Sequence, residues 1–337
     1  MKILYHISYQ EGYGDDRFIY DGYRRAFLEL GHEVQPFTER DDLRQTLASF
    51  KPDIFITSLH APNWHLPTIS PILQDYRKQG GAVFMRAGRL DPASHAELID
   101  LIKKDQLADL YYADCELPKE YFEDLTGKEG LFLPLAGDKR ENVNVPPMKK
   151  YQCDLIYIGA NLPMKKDIFE RRLYPLMKKY DVKVFGGDWG AIDKYILHPL
   201  AKIDRMLNLG GMFSRMRISR QVPIGEEIVA YQSAKIALNF HERHGSTPPC
   251  MNGRIFRIPA AGGFEICDSV PGLRNYFTAD EMPMPETDEE FFAAVEYYLT
   301  HDAERKAMQA RAVAKALSEH TWHNRAETML AWYQGLG

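Results

Sequence analysis

The feature that most constrains the fold is a regular alternation of short apolar runs with amphipathic segments. In the first half the runs are "KILYHIS" (2–8), "EVQPF", "PDIFITS" (52–58), "AVFMRAG", "ADLYYAD" and "EGLFLPL". Between them lie "RFIYDGYRRAFLELG", "RDDLRQTLASF", "SPILQDYRKQGG", "DPASHAELIDLIKK" and "LPKEYFEDLTG", whose apolar positions recur at helical spacing. Strands that are apolar on both sides must be covered on both faces. The pattern therefore predicts a parallel sheet between two layers of helices, a doubly wound α/β domain.

The segment "AGDKRENVNVPPMKK" (136–150) has Pro-Pro, charges and no period, and reads as an interdomain linker. The alternation then restarts with "CDLIYIGA" (153–160), the helix "MKKDIFERRLYPLMKKY", "VKVFGG", the short helix "GEEIVAYQSA", "KIALNF" (235–240), the helix "GRIFRIPAAGG" and "FEICD". Thr287 stands three residues before Glu290, a capping box that starts the helix "TDEEFFAAVEYYLT". Asp302 is expected to cap the helix after it. Two domains suit the 337 residues. The boundaries read as 1–145 and 151–320, followed by a helix over 321–337. The expected fold class is thus α/β, two doubly wound Rossmann-like domains facing across a cleft.

Net charge −5 gives no global drive toward nucleic acid or anionic membrane. Cys115, Cys153, Cys250 and Cys267 show no zinc or disulfide spacing, and no metal site is expected. The start "MKILYHISYQ" is too quickly polar for a signal peptide, and no run approaches the length of a membrane span. These readings place the chain in the cytoplasm.

Ligands of doubly wound sheets bind beyond the carboxyl ends of the strands, so the loops there hold the candidate residues. "IGAN" (158–161) offers Gly159 and Asn161, and "FGGDWG" offers Gly186; each is either a phosphate-approach turn or a plain tight turn. Trp189 reads as core or as a base-stacking ring. "NFHERHGSTPPCMNGR" (239–254) runs into a helix, with Asn252 and Gly253 at its start and Arg254 in its first turn, a pattern suited to a diphosphate. His241 and His244 are either exposed loop residues or ligand contacts. In the first half, Asp15, Asp16 and His60 are candidate general bases, with N-capping the alternative role for the two aspartates. Arg86 and Arg89 end the fourth strand.

The blocks "CDLIYIGAN", "RRLYPLM", "VKVFGGDW", "IVAYQSAKIALNFH", "NGRIFRIPAAGGFEICD", "LRNYFTADE", "FFAAVEYYLTHDAERKAMQARA" and "HTWHNR" resemble, in order, the CgeB-like group of glycosyltransferases. These belong to the glycosyl transferase group 1 superfamily, of GT-B fold. The resemblance covers roughly 150–330, with a looser match in "YDGYRRAFLELGHEV" and "LFLPLAGD". It implies a nucleotide-sugar donor held by the second domain, with Gly159, Asn161, Gly186, His241, Asn252, Gly253, Arg254, Arg257, Gly262, Gly263 and Glu265 as the expected contacts. It also implies an acceptor met by the first domain, no metal and no cofactor beyond the donor, and a terminal helix over 321–337 that packs back on the first domain. One departure stands out. Relatives usually carry a ribose-binding glutamate where this chain has Arg257, which leaves Glu265 or a backbone carbonyl to hold the ribose.

The stretch 190–222 is longer than in relatives and carries Lys194, Lys202, Arg205, Arg215, Arg217 and Arg220 against Asp193 and Asp204, interleaved with methionines. It reads as two helices packed on their own domain, or as a contact surface for lipid or a charged acceptor. The expected activity is metal-independent transfer of a sugar from a nucleotide-diphosphate donor to an acceptor hydroxyl. The acceptor class is open: glycan, protein, small molecule or modified nucleic acid. The alternatives are a nucleotide- or partner-binding module and an epimerase-like enzyme acting on nucleotide sugars.

Overall fold

The computed structural model describes all residues except 8–15, 60–65, 88–95, 115–118, 129, 140–143, 208–210, 219–220, 243–250 and 336–337. They form two compact units, Met1–Leu135 with Trp322–Gly337, and Ala136–Thr321.

The first unit holds strands β1 (Lys2–His6), β2 (Glu33–Phe37), β3 (Ile54–Ser58), β4 (Ala82–Arg86), β5 (Leu110–Ala113) and β6 (Gly130–Phe132). Its first five helices are α1 (Asp16–Glu29), α2 (Leu43–Phe50), α3 (Leu66–Lys78), α4 (Ala96–Asp105) and α5 (Lys119–Thr126). The strand order is β2-β1-β3-β4-β5-β6, all parallel. The inner strands are buried on both faces: Leu4, Phe55, Val83, Phe84, Met85 and Tyr111 are all fully enclosed. Pro36, which has no N–H for a second neighbour, falls on β2 at the sheet edge. Asp42 caps α2 by accepting from Gln45 N at 2.9 Å. The order reverses between β1 and β3, which opens a crevice at their carboxyl ends.

The second unit holds β7 (Cys153–Ile158), β8 (Val182–Phe185), β9 (Ala234–Asn239) and β10 (Glu265–Cys267), with helices α6 (Lys166–Ile168), α7 (Tyr174–Lys179), α8 (His198–Met206), α9 (Met212–Ile218), α10 (Glu227–Ser233), α11 (Arg254–Ala260), α12 (Asp288–Thr300) and α13 (Asp302–Glu319). Its sheet is parallel, in the order β10-β9-β7-β8, so its own reversal lies between β7 and β9. The helix expected around Pro175 is split by a wide π turn at Phe169–Leu173, which accommodates a residue without an N–H. The Thr287–Glu290 capping box is present. The cap before α13 is His301, and Asp302 instead opens the helix and pairs with Arg305 and Lys306.

The boundary differs from the expected 145. Segment 136–150 belongs to the second unit because its backbone is held there: Gly137 N donates to His320 O at 2.9 Å, Val145 N to Gln232 Oε1 at 3.3 Å and Met148 N to Ser233 Oγ at 3.0 Å. Helix α14 (Trp322–Gln334) belongs to the first unit. There the Trp322 ring lies tilted against Tyr23, 4.9 Å between centroids, Arg325 Nε donates to Pro134 O at 2.9 Å, and His323 Nε2 meets Glu29 Oε2 at 2.7 Å. α1 presents Gly22 to this ring, where a Cβ would lie 2.3 Å from the indole.

Candidate functional site

In the second unit, Arg254 spans the point where the strand order reverses. Its guanidinium donates to Ile158 O at the end of β7 (2.7 Å), and to Asn239 Oδ1 (3.1 Å) and Phe240 O (3.2 Å) at the end of β9. These three acceptors orient the guanidinium. The side chain crosses the face of Tyr157, 5.4 Å from the ring centre. Gly159 makes room for it, since a Cβ there would stand 2.2 Å from Nη1. Asn252 Oδ1 accepts from Arg254 N at 3.0 Å and fixes the start of α11, while its Nδ2 donates to Asn239 Oδ1 at 2.9 Å.

Asn239 carries the network inward, donating from Nδ2 to Glu265 Oε1 at 2.8 Å. Glu265 is wholly buried and its second oxygen makes no hydrogen bond. Burial drives its carboxyl up to about 8, against the lowering effect of the Asn239 amide. At neutral pH it is mostly protonated and can donate as well as accept.

Two more glycines and a histidine meet the same rim. A Cβ on Gly186 (φ +136°) would lie 2.3 Å from Gly159 O. Trp189 takes the core role, with Nε1 donating to Gly159 O at 2.7 Å and its ring against Phe169. Asn161 N donates to Gly187 O at 2.8 Å, which ties the β7 and β8 loops together. His241 is fully buried rather than exposed; its Nδ1 sits 2.8 Å from Asp268 Oδ1, and the same oxygen accepts its backbone N–H at 2.9 Å. Its Nε2 is buried without a hydrogen bond. Among the described residues, His241, Cys267 and Asp268 are the one grouping whose ligand atoms, within 4.8 Å of one another, could hold a metal ion. His244 lies outside the described residues.

Three expected donor residues lie elsewhere. Arg257 turns to α10, where it forms a buried ion pair with Glu227. Gly262 and Gly263 precede β10 and so lie at its amino end, opposite the end where such sheets bind ligands. They serve the exit from α11. Gly262 takes φ +79°, and a Cβ on Gly263 would press on Ile258 at 2.9 Å.

Sequence reasoning missed Lys165. It is buried at the β7 loop, with its ammonium 3.7 Å from Glu242 beyond β9, and its position one loop after "IGAN" was the available signal.

In the first unit a pocket lies at the β1–β3 reversal, lined by Tyr5, His6, Thr57, Ser58, Arg86 and Tyr112 among others. His6, also missed, ends β1 with its ring buried: Nδ1 is 2.8 Å from Thr57 Oγ1 and Nε2 is 3.2 Å from Glu39 Oε1. A histidine closing the first strand of a doubly wound sheet was the signal. Arg86 reaches this pocket from β4 and stands 3.7 Å from Asp114. Asp15, His60 and Arg89 lie outside the described residues. Asp16 opens α1.

Comparison with known proteins adds to this geometry. Residues 167–331 match a family model described as glycosyl transferase-like. No sequence among curated proteins matches the chain. Among solved structures, a glycosyltransferase from Rickettsia africae is similar at TM-score 0.65 and 10% identity, over 99% of this chain and 98% of that one. A sucrose-phosphate synthase from Thermosynechococcus elongatus aligns at TM-score 0.62 and 13% identity, over 99% and 98%. Anabaena Alr3699/HepE, in complex with UDP-glucose, aligns at TM-score 0.62 and 12% identity, over 99% and 100%. Residues 167–331, which carry Arg254, Asn239 and Asn252, are therefore similar to the glycosyl transferase-like family, within a chain of GT-B fold.

Proposed function

We propose that the protein is a glycosyltransferase that takes a sugar from a nucleoside-diphosphate donor bound at the β7–β9 reversal of the second unit. The observation that carries this reading is the guanidinium of Arg254, a residue of the segment matching the glycosyl transferase-like family, oriented at that reversal by Ile158 O, Asn239 and Phe240 O. When the bond to the sugar breaks, negative charge grows on the leaving diphosphate, and a fixed cation in a partly buried crevice stabilises it most at that moment. Arg254 supplies that charge, and the buried ammonium of Lys165, paired with Glu242, stands on the loop after β7. Glu265, buried behind Asn239, acts on the site only by holding that amide, whose Oδ1 orients Arg254. In this reading protein groups supply the leaving-group stabilisation, so transfer proceeds without a metal.

The first unit takes the acceptor at its own β1–β3 pocket, where His6, held by Thr57 and Glu39, is the best-placed titratable group. The HepE complexes contain UDP and UDP-glucose, which makes a uridine nucleotide the first donor to try. No helix among the described residues is long and apolar enough to cross a membrane, and we read the enzyme as acting in or facing the cytoplasm.

Calorimetry with UDP, GDP, ADP, dTDP and CDP, on wild type and Arg254→Ala, tests the proposal. One nucleotide should bind tightly and lose affinity at least tenfold in the variant. Release of that nucleotide from its sugar donor, unaffected by EDTA, would complete the case. No binding to any of the five would remove the donor site. Binding without turnover would leave a nucleotide-binding module.

A further inference from the structure

The insertion between β8 and α10 is built inside out. Along the π turn Asp193–Leu197 and the following α8, Asp193, Leu197, Ala201 and Asp204 recur at helical spacing, and all are buried. Two of these inward residues are carboxylates, and both are satisfied. Asp193 Oδ1 accepts from Arg217 Nε of α9 at 3.0 Å. Asp204 accepts the backbone N–H groups of Gly211 at 2.9 Å and Phe213 at 3.0 Å. Arg217 also donates to Asp188 Oδ1 at 2.9 Å, and His198 Nδ1 lies 2.9 Å from the same oxygen. This buried ionic latch fixes the α8–α9 hairpin to the domain.

The outward face carries the apolar residues instead. Tyr195, Ile196, Ile203, Met206, Leu207 and, on α9, Met212 are between 44% and 76% exposed. Side chains of this size on a latched frame form a standing apolar patch rather than scattered surface residues. Lys194 and Lys202 are exposed among them, and Arg215 is exposed on α9.

Charge decides what covers the patch. The whole chain carries −5, yet 190–222 has six Lys/Arg against two Asp, and both of those aspartates are buried. A second copy of the same face would set its cations against each other. An anionic lipid surface offers phosphates to the cations and an acyl boundary to the apolar side chains in a single plane.

We propose that the α8–α9 hairpin is an interfacial anchor that docks the second unit on anionic lipid headgroups. The apolar face enters the headgroup–acyl boundary, and Lys194, Lys202 and Arg215 meet the lipid phosphates. Docking uses no residue of the β7–β9 crevice, so it stands or falls separately from the donor chemistry.

Co-sedimentation of the full chain with vesicles tests it. Binding is expected to phosphatidylcholine vesicles that contain a minority of phosphatidylglycerol, to weaken with added salt, and to be far weaker with phosphatidylcholine alone. Lys194→Gln with Lys202→Gln should lower the partition coefficient roughly 25-fold, at roughly fivefold per cation. Tyr195→Ser with Met206→Ser should remove binding, and thermal melts of both variants confirm folding, since every altered side chain is exposed. The proposal is overturned by no sedimentation with either vesicle, by equal binding to both vesicles, or by binding indifferent to both double variants. A wild-type dimer in light scattering that Tyr195→Ser with Met206→Ser dissolves would also overturn it.

Discussion

Arg254 lies across Gly159 so closely that a Cβ on the glycine would stand 2.2 Å from Nη1 and 2.6 Å from the Tyr157 hydroxyl. The bare backbone at 159 is thus a condition for the guanidinium reaching Ile158 O. Gly159→Ala should expel Arg254 from the reversal between β7 and β9. Overpacking of this kind costs about 1–3 kcal/mol, read by urea denaturation. Nucleotide affinity should fall at least tenfold by calorimetry. Unchanged affinity in a folded Gly159→Ala protein would remove Arg254 from the donor site.

The Arg257–Glu227 pair makes a contrasting prediction. Arg257→Ala leaves a buried carboxylate without its cation, and removing one partner of such a pair costs about 3–5 kcal/mol. Replacing both, as Arg257→Met with Glu227→Leu, should recover most of that loss. Nucleotide affinity of the folded double variant should match wild type, because the pair lies against α10 rather than in the crevice. An affinity loss without a stability loss would return Arg257 to the donor site.

Glu265 links stability to pH. Its carboxyl is raised from the ordinary range to about 8, chiefly by burial, so the folded state holds the proton more tightly than the unfolded chain. The contribution is fully present below the ordinary carboxyl range and is lost as pH rises toward 8, at up to about 1.4 kcal/mol per pH unit. Melting temperatures from pH 5 to about 9 should therefore fall more steeply for wild type than for Glu265→Gln, which mimics the neutral acid. Parallel pH curves for the two proteins would show that Glu265 is ionised in the native state.

Gly22 is the seat for Trp322 in the first unit. Gly22→Ala gains helix propensity in α1, yet its methyl would meet the indole at 2.3 Å. Net destabilisation of about 1–3 kcal/mol is expected, with α14 lifting first. A red-shifted tryptophan emission before the main urea transition would report that lifting. A variant as stable as wild type, with unshifted emission, would show that the seat tolerates a side chain.

Much of the fold was legible because strand burial is written locally. "DIFITS" and "DLIYIGA" are short, mainly apolar runs of the kind that a strand covered on both faces uses; β3 and β7 are those strands. The Thr287–Glu290 box lies within one turn and was equally readable. The candidate site was legible only in part. Asn252, Arg254 and Gly159 could be singled out by their positions after strands, but Arg254 meets Ile158 across 96 residues of sequence. The His6–Thr57 and Arg257–Glu227 partnerships likewise join positions 51 and 30 residues apart. Local pattern carries no trace of such pairings, which is why Arg257 read as a ligand contact and His6 was passed over.

Because the first unit is completed by α14, its sequence is interrupted by the 186 residues of Ala136–Thr321. On a ribosome elongating at about 5–20 residues per second, Tyr23 and Gly22 emerge and then wait roughly 15–60 s for the segment that covers them. Throughout that interval the nascent first half presents an unsealed groove along α1, while the second half can fold to completion behind it. Vectorial synthesis therefore closes the molecule in reverse, with the half made first finished last. The chain's vulnerability to trigger-factor-like holdases, or to aggregation, is concentrated at the empty Trp322 seat.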